Sequence, residues 1–332
     1  MSEVTWQPTC TIKMLRQRAE LLACVRSFFL ARDVLEVETP LLCAATATDP
    51  YLSSVQVVVD GVRSELSAGK PAAMSGDLFY LQTSPEFAMK RLLAAGSGPI
   101  YQICKAFRNA ERGRRHNPEF SMLEWYRPDF DEVMLMDEVE ALLKLFLRFD
   151  RAERISYREV FATHLQIDPF TLDDPLLREL VQQTTGIRDG GFERDTHLEL
   201  LFSHVIEPRL GLSAPCFVYD YPASQAALAE KRMVDDVEVG RRFELYIGGA
   251  EIANGYHELT NAEEQRARFL DDISQRRCEG LPVVPVDERL VAAIAAGLPV
   301  CSGVALGLDR LLMQVARANV IDEVISFPVE KA

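Results

Sequence analysis

The chain has 332 residues, 48% of them hydrophobic, and 50 Asp and Glu against 36 Lys and Arg give a formal net charge of -14. That length builds one large domain or two ordinary ones around a sizeable core, and the composition excludes a disordered chain. The acidic balance disfavours broad tRNA or DNA binding, because the surface as a whole repels phosphate, and leaves room for a local basic patch.

Cys10, Cys24, Cys43, Cys104, Cys216, Cys278 and Cys301 are scattered, with no C-x-x-C and no histidine at zinc spacing. They read as reduced structural thiols of a cytoplasmic protein. The opening MSEVTWQPTC lacks the order of a secretion signal, and no run approaches the roughly 18 apolar residues of a membrane span, so no membrane association is expected.

Leu15, Ala19, Leu22, Val25, Phe28 and Phe29 recur at helical spacing and predict an amphipathic helix from Lys13 to Ala31. It leads into Val34–Leu42, an alternating strand closed by Pro40, which cannot donate to a ladder. Core packing and a sheet edge at a subunit contact are both open for it. Thr-rich and Gly/Ser-rich segments then surround a strand at Val55–Val59. In Leu81-Gln82-Thr83-Ser84-Pro85-Glu86, Thr83 or Ser84 suits a helix N-cap, Pro85 the first helical position and Glu86 the first turn. Glu86 is either helix-start chemistry or a ligand-binding acid.

Ile100, Ile103, Ala106 and Phe107, leading into the stretch Phe107–Pro128, and Phe120, Met122, Leu123 and Trp125 within it, predict two antiparallel strands joined by a long loop broken at Asn117-Pro118. The loop holds Arg112, Arg114, Arg115 and His116 within five residues. In an acidic protein such a loop is either solvated surface or the seat of an anion, and the guanidinium fork suits a polyphosphate nucleotide. Helical patterns follow at Val133–Phe149 and from Tyr157 to Thr185, the second interrupted at Asp168-Pro169 and Asp174-Pro175. They read as a helical insertion at about 133–200. His164, His197 and His204 read as packed or surface residues, and Cys216–Pro222 as a strand.

Between two strand-like runs, Gly248-Gly249 signals a two-residue hairpin turn that pairs Tyr246 with Glu251. Glu244 then lies diagonally on the same face, about 7 Å away. Two inward carboxylates either face solvent or share a hard cation such as Mg2+. Glu258, seven beyond Glu251, has the wrong parity for that face unless Asn254-Gly255 bulges. In Cys301–Met313 a small-residue strand enters a helix with Arg310 in its first turn, suited to anion binding or to a structural tight turn. It is neither a dinucleotide fingerprint nor a P-loop.

Helix-strand-Pro40, the Arg108-loop-Glu124 hairpin and Gly303-x-x-x-Gly307-x-Asp309-Arg310 resemble, in order, motifs 1, 2 and 3 of class II aminoacyl-tRNA synthetases. Thr83–Glu86 and Ile247–Gly255 resemble the lysyl-tRNA synthetase branch. His116–Phe120, Leu123–Pro128, Pro222–Gln225 and Cys301–Gly307 resemble the elongation factor P lysine ligase family within it. The implied fold is α+β: the class II catalytic fold, an antiparallel β-sheet flanked by helices, in a single catalytic domain over residues 1–332. Only about a dozen residues precede the first helix, so no anticodon-binding domain is expected.

The resemblance implies that lysine or (R)-β-lysine is activated by ATP as an aminoacyl-adenylate and passed to a lysine of elongation factor P. Arg108 would grip the α-phosphate, His116 and Arg310 the outer phosphates, and Phe120 would stack on adenine beside the Asn117 backbone. Asn109, Ala110, Ile252 and Gly307 complete the ATP site. Glu244 and Glu251 would hold Mg2+. Glu86 and Glu124 would bind the ammonium near the carboxylate end of the amino acid, with Asn254 nearby and Ser84 and Pro85 also lining it. Tyr126 and Glu258 would take its distal ammonium, and Ala305, where lysyl-tRNA synthetases resemble one another in having glycine, would reshape the pocket floor. Motif 1 implies a homodimer. One departure stands out: Ala110 occupies the glutamate of the Arg-x-Glu pattern, with Glu111 one place later. A free-standing lysyl-tRNA synthetase-like enzyme charging an RNA and a non-catalytic nucleotide- or amino-acid-binding regulator are the alternatives.

Overall fold

The structure is a computed structural model that describes residues 6–60 and 76–332; the Gly/Ser-rich stretch read within 61–75 lies outside the described residues. The chain forms two compact units. Unit 1 takes Met1–Pro128, Thr260–Val300 and Ala305–Ala332, and unit 2 takes Asp129–Leu259 and Cys301–Val304.

Unit 1 opens with α1 (Ile12–Leu30), capped by the Thr11 hydroxyl, which accepts from the Met14 amide at 3.1 Å. The expected long strand over Val34–Leu42 is instead two short ones, β1 (Leu35–Glu36) and β2 (Leu42–Cys43). β1 runs parallel to β5 (Ile100–Phe107), whereas β2 joins β3 (Gln56–Asp60) and β4 (Gly76–Leu81) in a separate three-stranded sheet. The chain changes partner at Pro40, where a missing N–H makes a break in the ladder cheapest. α2 (Glu86–Ala94) follows, then β5 and β6 (Glu119–Pro128), paired antiparallel from Ile100↔Tyr126 to Phe107↔Glu119. The fully buried Phe29 stacks on Tyr101, with centroids 4.4 Å apart, and meets Trp125 edge-on, which presses α1 onto this hairpin. Each such buried aromatic contributes about 2–3 kcal/mol.

Unit 2 begins with α3 (Glu132–Leu143) and β7 (Glu153–Ser156), then α4 (Tyr157–Leu165), α5 (Asp174–Thr185) and α6 (Arg194–Leu201). α4 carries a reciprocal cap between Ser156 and Glu159, and α5 starts at the Asp174-Pro175 break. Strands β8 (Cys216–Pro222), β9 (Lys231–Val234), β10 (Val237–Tyr246) and β11 (Glu251–His257) complete it. β10 lies antiparallel to β8, β9 and β11, and β7 runs parallel to β8. The helices bury Tyr157, Phe161, Leu198 and Phe202 against Val218, Tyr221 and Tyr246 of the strands.

The chain then returns to unit 1 through α7 (Ala262–Cys278) and α8 (Glu288–Gly297), which no feature used in the sequence reading singled out. β12 (Cys301–Gly307) gives its first four residues to unit 2 and its last three to unit 1, and leads into α9 (Leu308–Ala316). Both units are thus mixed α+β, with antiparallel pairing dominant and helices flanking the strands. No described helix is long and apolar enough to cross a membrane, and all seven cysteines are free.

In unit 1, α9 is locked by Asp309. Its Oδ2 accepts from the Ser121 amide of β6 at 2.7 Å, and its Oδ1 is paired with Arg18 of α1, which also donates to the Val324 carbonyl at 2.8 Å. Asp309 is 2% exposed. Asp309→Asn removes the charge facing Arg18 and sets an amide NH2 against one of the two donors, the Arg18 guanidinium or the Ser121 amide, and is expected to cost about 3 kcal/mol. Chemical denaturation should show it as a lowered midpoint, and an unchanged midpoint would place the lock elsewhere.

Candidate active site

The loop joining β5 and β6 is exposed at Arg112, Arg114 and His116, yet it is fastened rather than loose. Arg112 pairs with Asp322 at 2.9 Å and Glu330 at 2.6 Å, and Arg114 donates to the Asn319 carbonyl at 2.8 Å. The buried Asn117 accepts from the Val329 amide at 3.1 Å and donates to the Glu119 carbonyl at 2.7 Å. Part of the cationic loop therefore fastens it to the segment 319–330. The rest converges on one place. Arg108 lies over the Phe120 ring, 5.2 Å from its centroid, and Arg310 Nη2 is 2.6 Å from His116 Nε2.

An arginine can only donate, so His116 Nε2 accepts, and the imidazole is neutral with its proton on Nδ1. Partial desolvation of the ring, then the charges of Arg310, Arg108 and Arg115, push its pKa down to about 4, although His116 as a residue is exposed. The neutral ring adds no fourth charge to the arginines, and in this state it is no cation for a phosphate. Ala110 turns the loop at φ 62°, and the Asn109 side chain accepts from its amide at 3.0 Å. That turn brings Glu111 Oε2 to 3.9 Å from Arg108 Nη1, the outer edge of an ion pair.

Further along the same hairpin, Ser84 Oγ donates to Glu124 Oε2 at 2.7 Å and Tyr126 Oη to Glu124 Oε1 at 2.6 Å. Glu124 is 2% exposed. Its charge adds to burial in pushing the Cys104 thiol up to about 12. Because the Ser84 and Tyr126 hydroxyl protons are committed to Glu124, the oxygens present lone pairs, and lone pairs are what an ammonium requires. The N-cap of α2 is Pro85 rather than Ser84, whose Oγ instead accepts from the Glu86 amide at 3.0 Å. Glu86 is one turn before Lys90, whose fully buried ammonium is 2.6 Å from Glu86 Oε1. Lys90 was missed in the sequence, where it sits at ordinary i,i+4 spacing. Ala305 and Gly307 lie at the unit 1 end of β12.

In unit 2, Gly248 and Gly249 both have positive φ, and Ile247 donates to Ala250, which makes the expected tight turn and pairs Tyr246 with Glu251. The irregularity of the hairpin is not at Asn254-Gly255. Leu245 pairs with Ala253 and Tyr246 with Glu251, so Ile252 is the extra residue. The consequence for parity is the one required: Glu251, Asn254 and Tyr256 share a face with Glu244, and two residues on, alternation brings Glu258 to it as well. Gly255 has a different reason to be glycine. A Cβ there would meet the Phe243 ring at 2.3 Å.

Glu244 does not stand in solvent. Tyr221 Oη donates to Oε2 at 2.7 Å, Tyr246 donates to the same oxygen, and Arg242 pairs with Oε1. Burial, then the Glu244 charge, holds both tyrosine hydroxyls well above their usual range, so they remain donors. Asn254 Oδ1 is buried without a hydrogen-bond partner. No cluster of three or more His, Cys, Asp or Glu with metal-binding geometry occurs among the described residues. Of the three histidines set aside in the sequence, His197 is buried, with Nδ1 2.9 Å from the Glu193 carbonyl, and His204 is exposed.

Residues 7–331 match the family described as tRNA synthetases class II (D, K and N), and the chain belongs to that family. It is 49% identical to an elongation factor P--(R)-beta-lysine ligase of Pectobacterium atrosepticum, over the full length of both chains. Relatives of the same name from Photobacterium profundum and Edwardsiella ictaluri are 49% and 48% identical, covering 98% and 99% of this chain and 99% and 98% of their own. The resemblance drawn from the motifs is thereby met.

Ala110 at φ 62° carries a side chain in backbone space where an L residue costs about 1 kcal/mol more than glycine. Ala110→Gly is expected to raise the thermal midpoint by a few degrees, less whatever the added chain entropy of glycine removes. A lowered midpoint in calorimetry would show that the alanine methyl is held by contacts that offset the strain.

Proposed function

We propose that this chain activates lysine or (R)-β-lysine with ATP as an aminoacyl-adenylate and transfers the acyl group to a lysine side chain of elongation factor P. The observation that carries the reading is the cluster of Ser84, Glu124 and Tyr126, a buried acid and two hydroxyl lone-pair donors suited to an ammonium, on the hairpin that also bears Arg108. The names of the full-length relatives support the choice of acceptor.

In the first step a carboxylate oxygen of the amino acid attacks the α-phosphorus, and the bond to the β-phosphate breaks with its electron pair leaving on pyrophosphate. Arg108 would offset charge at the α-phosphate and Arg310 charge on the outer phosphates, while Phe120, beside the Asn117 backbone, would stack on adenine. Asn109, Ala110, Ile252 and Gly307 would line the nucleotide. In the second step the acceptor ε-amine attacks the acyl carbon, AMP leaves, and the amine proton passes to solvent. Such catalysis is positioning and preorganised charge.

Ser84, Pro85 and Glu86, the last oriented by Lys90, would bind near the carboxylate end of the amino acid, with Ala305 shaping the floor. Of the unit 2 residues, Glu258 would face the distal ammonium and Asn254, with its unpartnered Oδ1, would accept from a substrate donor. Glu251, half-buried, and Glu244 through Oε1, which accepts from Arg242 and keeps a second lone pair, offer the hard oxygens that Mg2+ takes. Bound there, Mg2+ would supply charge to the phosphates. The family resemblance also carries a homodimer and a single catalytic domain, and the scattered free cysteines support a cytoplasmic location.

The test is transfer of labelled (R)-β-lysine or lysine to elongation factor P set against transfer to tRNA. Label on elongation factor P is expected, and label on tRNA alone would overturn the reading. Glu258→Gln is expected to raise KM for the amino acid in ATP–pyrophosphate exchange by about 30-fold or more, the worth of one buried charged hydrogen bond. ATP binding should be nearly unchanged, and equal loss of both would remove Glu258 from the amino-acid pocket.

A further inference from the structure

His116 poses a problem that the nucleotide reading creates. Its Nε2 is held as an acceptor by Arg310 at 2.6 Å, yet ionised phosphate oxygens are also acceptors, and two acceptors do not bond. Either the ring stays out of the phosphate site, or it changes protonation when phosphate arrives. The surroundings decide between these. Arg108, Arg115 and Arg310 are the charges that oppose protonation of the ring. Elsewhere in the loop Arg112 is paired with Asp322 and Glu330, Arg114 donates to a backbone carbonyl, and Glu111 Oε2 lies 3.9 Å from Arg108. No described acid pairs with the imidazole. A polyphosphate brings several negative charges to those same three arginines and so reverses the sign of the local potential.

We propose that His116 takes up one proton from solvent as the polyphosphate of ATP enters, which turns Nε2 from the acceptor of Arg310 into a donor to phosphate and releases the Arg310 N–H to a second phosphate oxygen. The proton returns to solvent when pyrophosphate leaves. This rests on the nucleotide reading above and adds a protonation step to it. The sign follows by linkage. The ring is neutral in the free protein and charged in the complex, so the complex binds more protons, and affinity is highest at low pH and falls as pH rises through the bound-state pKa, by up to about tenfold per unit.

Calorimetric titration of the whole protein with MgATP, in two buffers of different ionisation enthalpy near neutral pH, counts the protons directly. Wild type is expected to take up close to one proton more than His116→Gln, whose amide donates without titrating, and subtracting the two removes the titration of ATP itself. The variant should also bind with the shallower pH dependence. Thermal melts of both confirm that the exposed substitution leaves the fold in place. MgATP binding by wild type with the same proton count as the variant overturns the proposal and leaves the nucleotide reading standing; no MgATP binding by wild type overturns both.

Discussion

Asp309 gathers three stretches of chain on one carboxylate: Arg18 of α1, the Ser121 amide of β6, and α9 itself. Both oxygens are engaged in a site shut off from water, where each charged hydrogen bond is strong and its loss leaves a buried group without compensation. The helix can therefore neither rotate nor slide against the hairpin. Its next residue, Arg310, arrives at His116 because of that restraint, and the arginine cluster has a geometry before any anion is present. Preorganisation of this sort is what electrostatic catalysis requires, since charge that must be assembled during the reaction contributes little.

Two acids in the molecule are held by the same local device. Glu124 with Tyr126 on β6, and Glu244 with Tyr246 on β10, are each a carboxylate and a tyrosine two residues apart, on one face of a strand because the side-chain period is two. Each is completed from another strand or loop, by Ser84 in one case and Tyr221 in the other. Glu244 is also paired with Arg242, two residues before it on the same strand. The helical region of unit 2 has a structural role here: Tyr157 and Phe202 pack against Tyr221, and Phe202 against Tyr246, which fixes the rings whose hydroxyls hold Glu244.

Much of this was legible in the sequence where a local rule acts alone. The alternating runs gave β5 and β6, Gly248-Gly249 gave its turn, and small residues before Arg310 gave β12 and α9. What stayed hidden depends on partners far along the chain. Val34–Leu42 alternates like one strand, but its neighbours are β5 on one side of Pro40 and β4 on the other. Gly255 looked like the site of a bulge, whereas its job is to admit the Phe243 ring, and the bulge falls at Ile252, a residue with no outward sign of it. Lys90 and Asp309 read as ordinary helical charges until burial and their partners are seen. Arg112, which the sequence left between solvated surface and an anion seat, is spent on Asp322 and Glu330.

That fastening of the β5–β6 loop to residues 319–330 has a consequence for how the molecule is made. Unit 2 is nearly one continuous stretch, so most of it can consolidate while the ribosome is still adding α7 and α8. Unit 1 cannot. Its hairpin emerges early, but Asp309, Asp322 and Glu330 come at the far end of synthesis, and until then Arg112 lacks both of its acids. The half of the protein that begins first is finished last, once residues 319–330 arrive to fasten its loop.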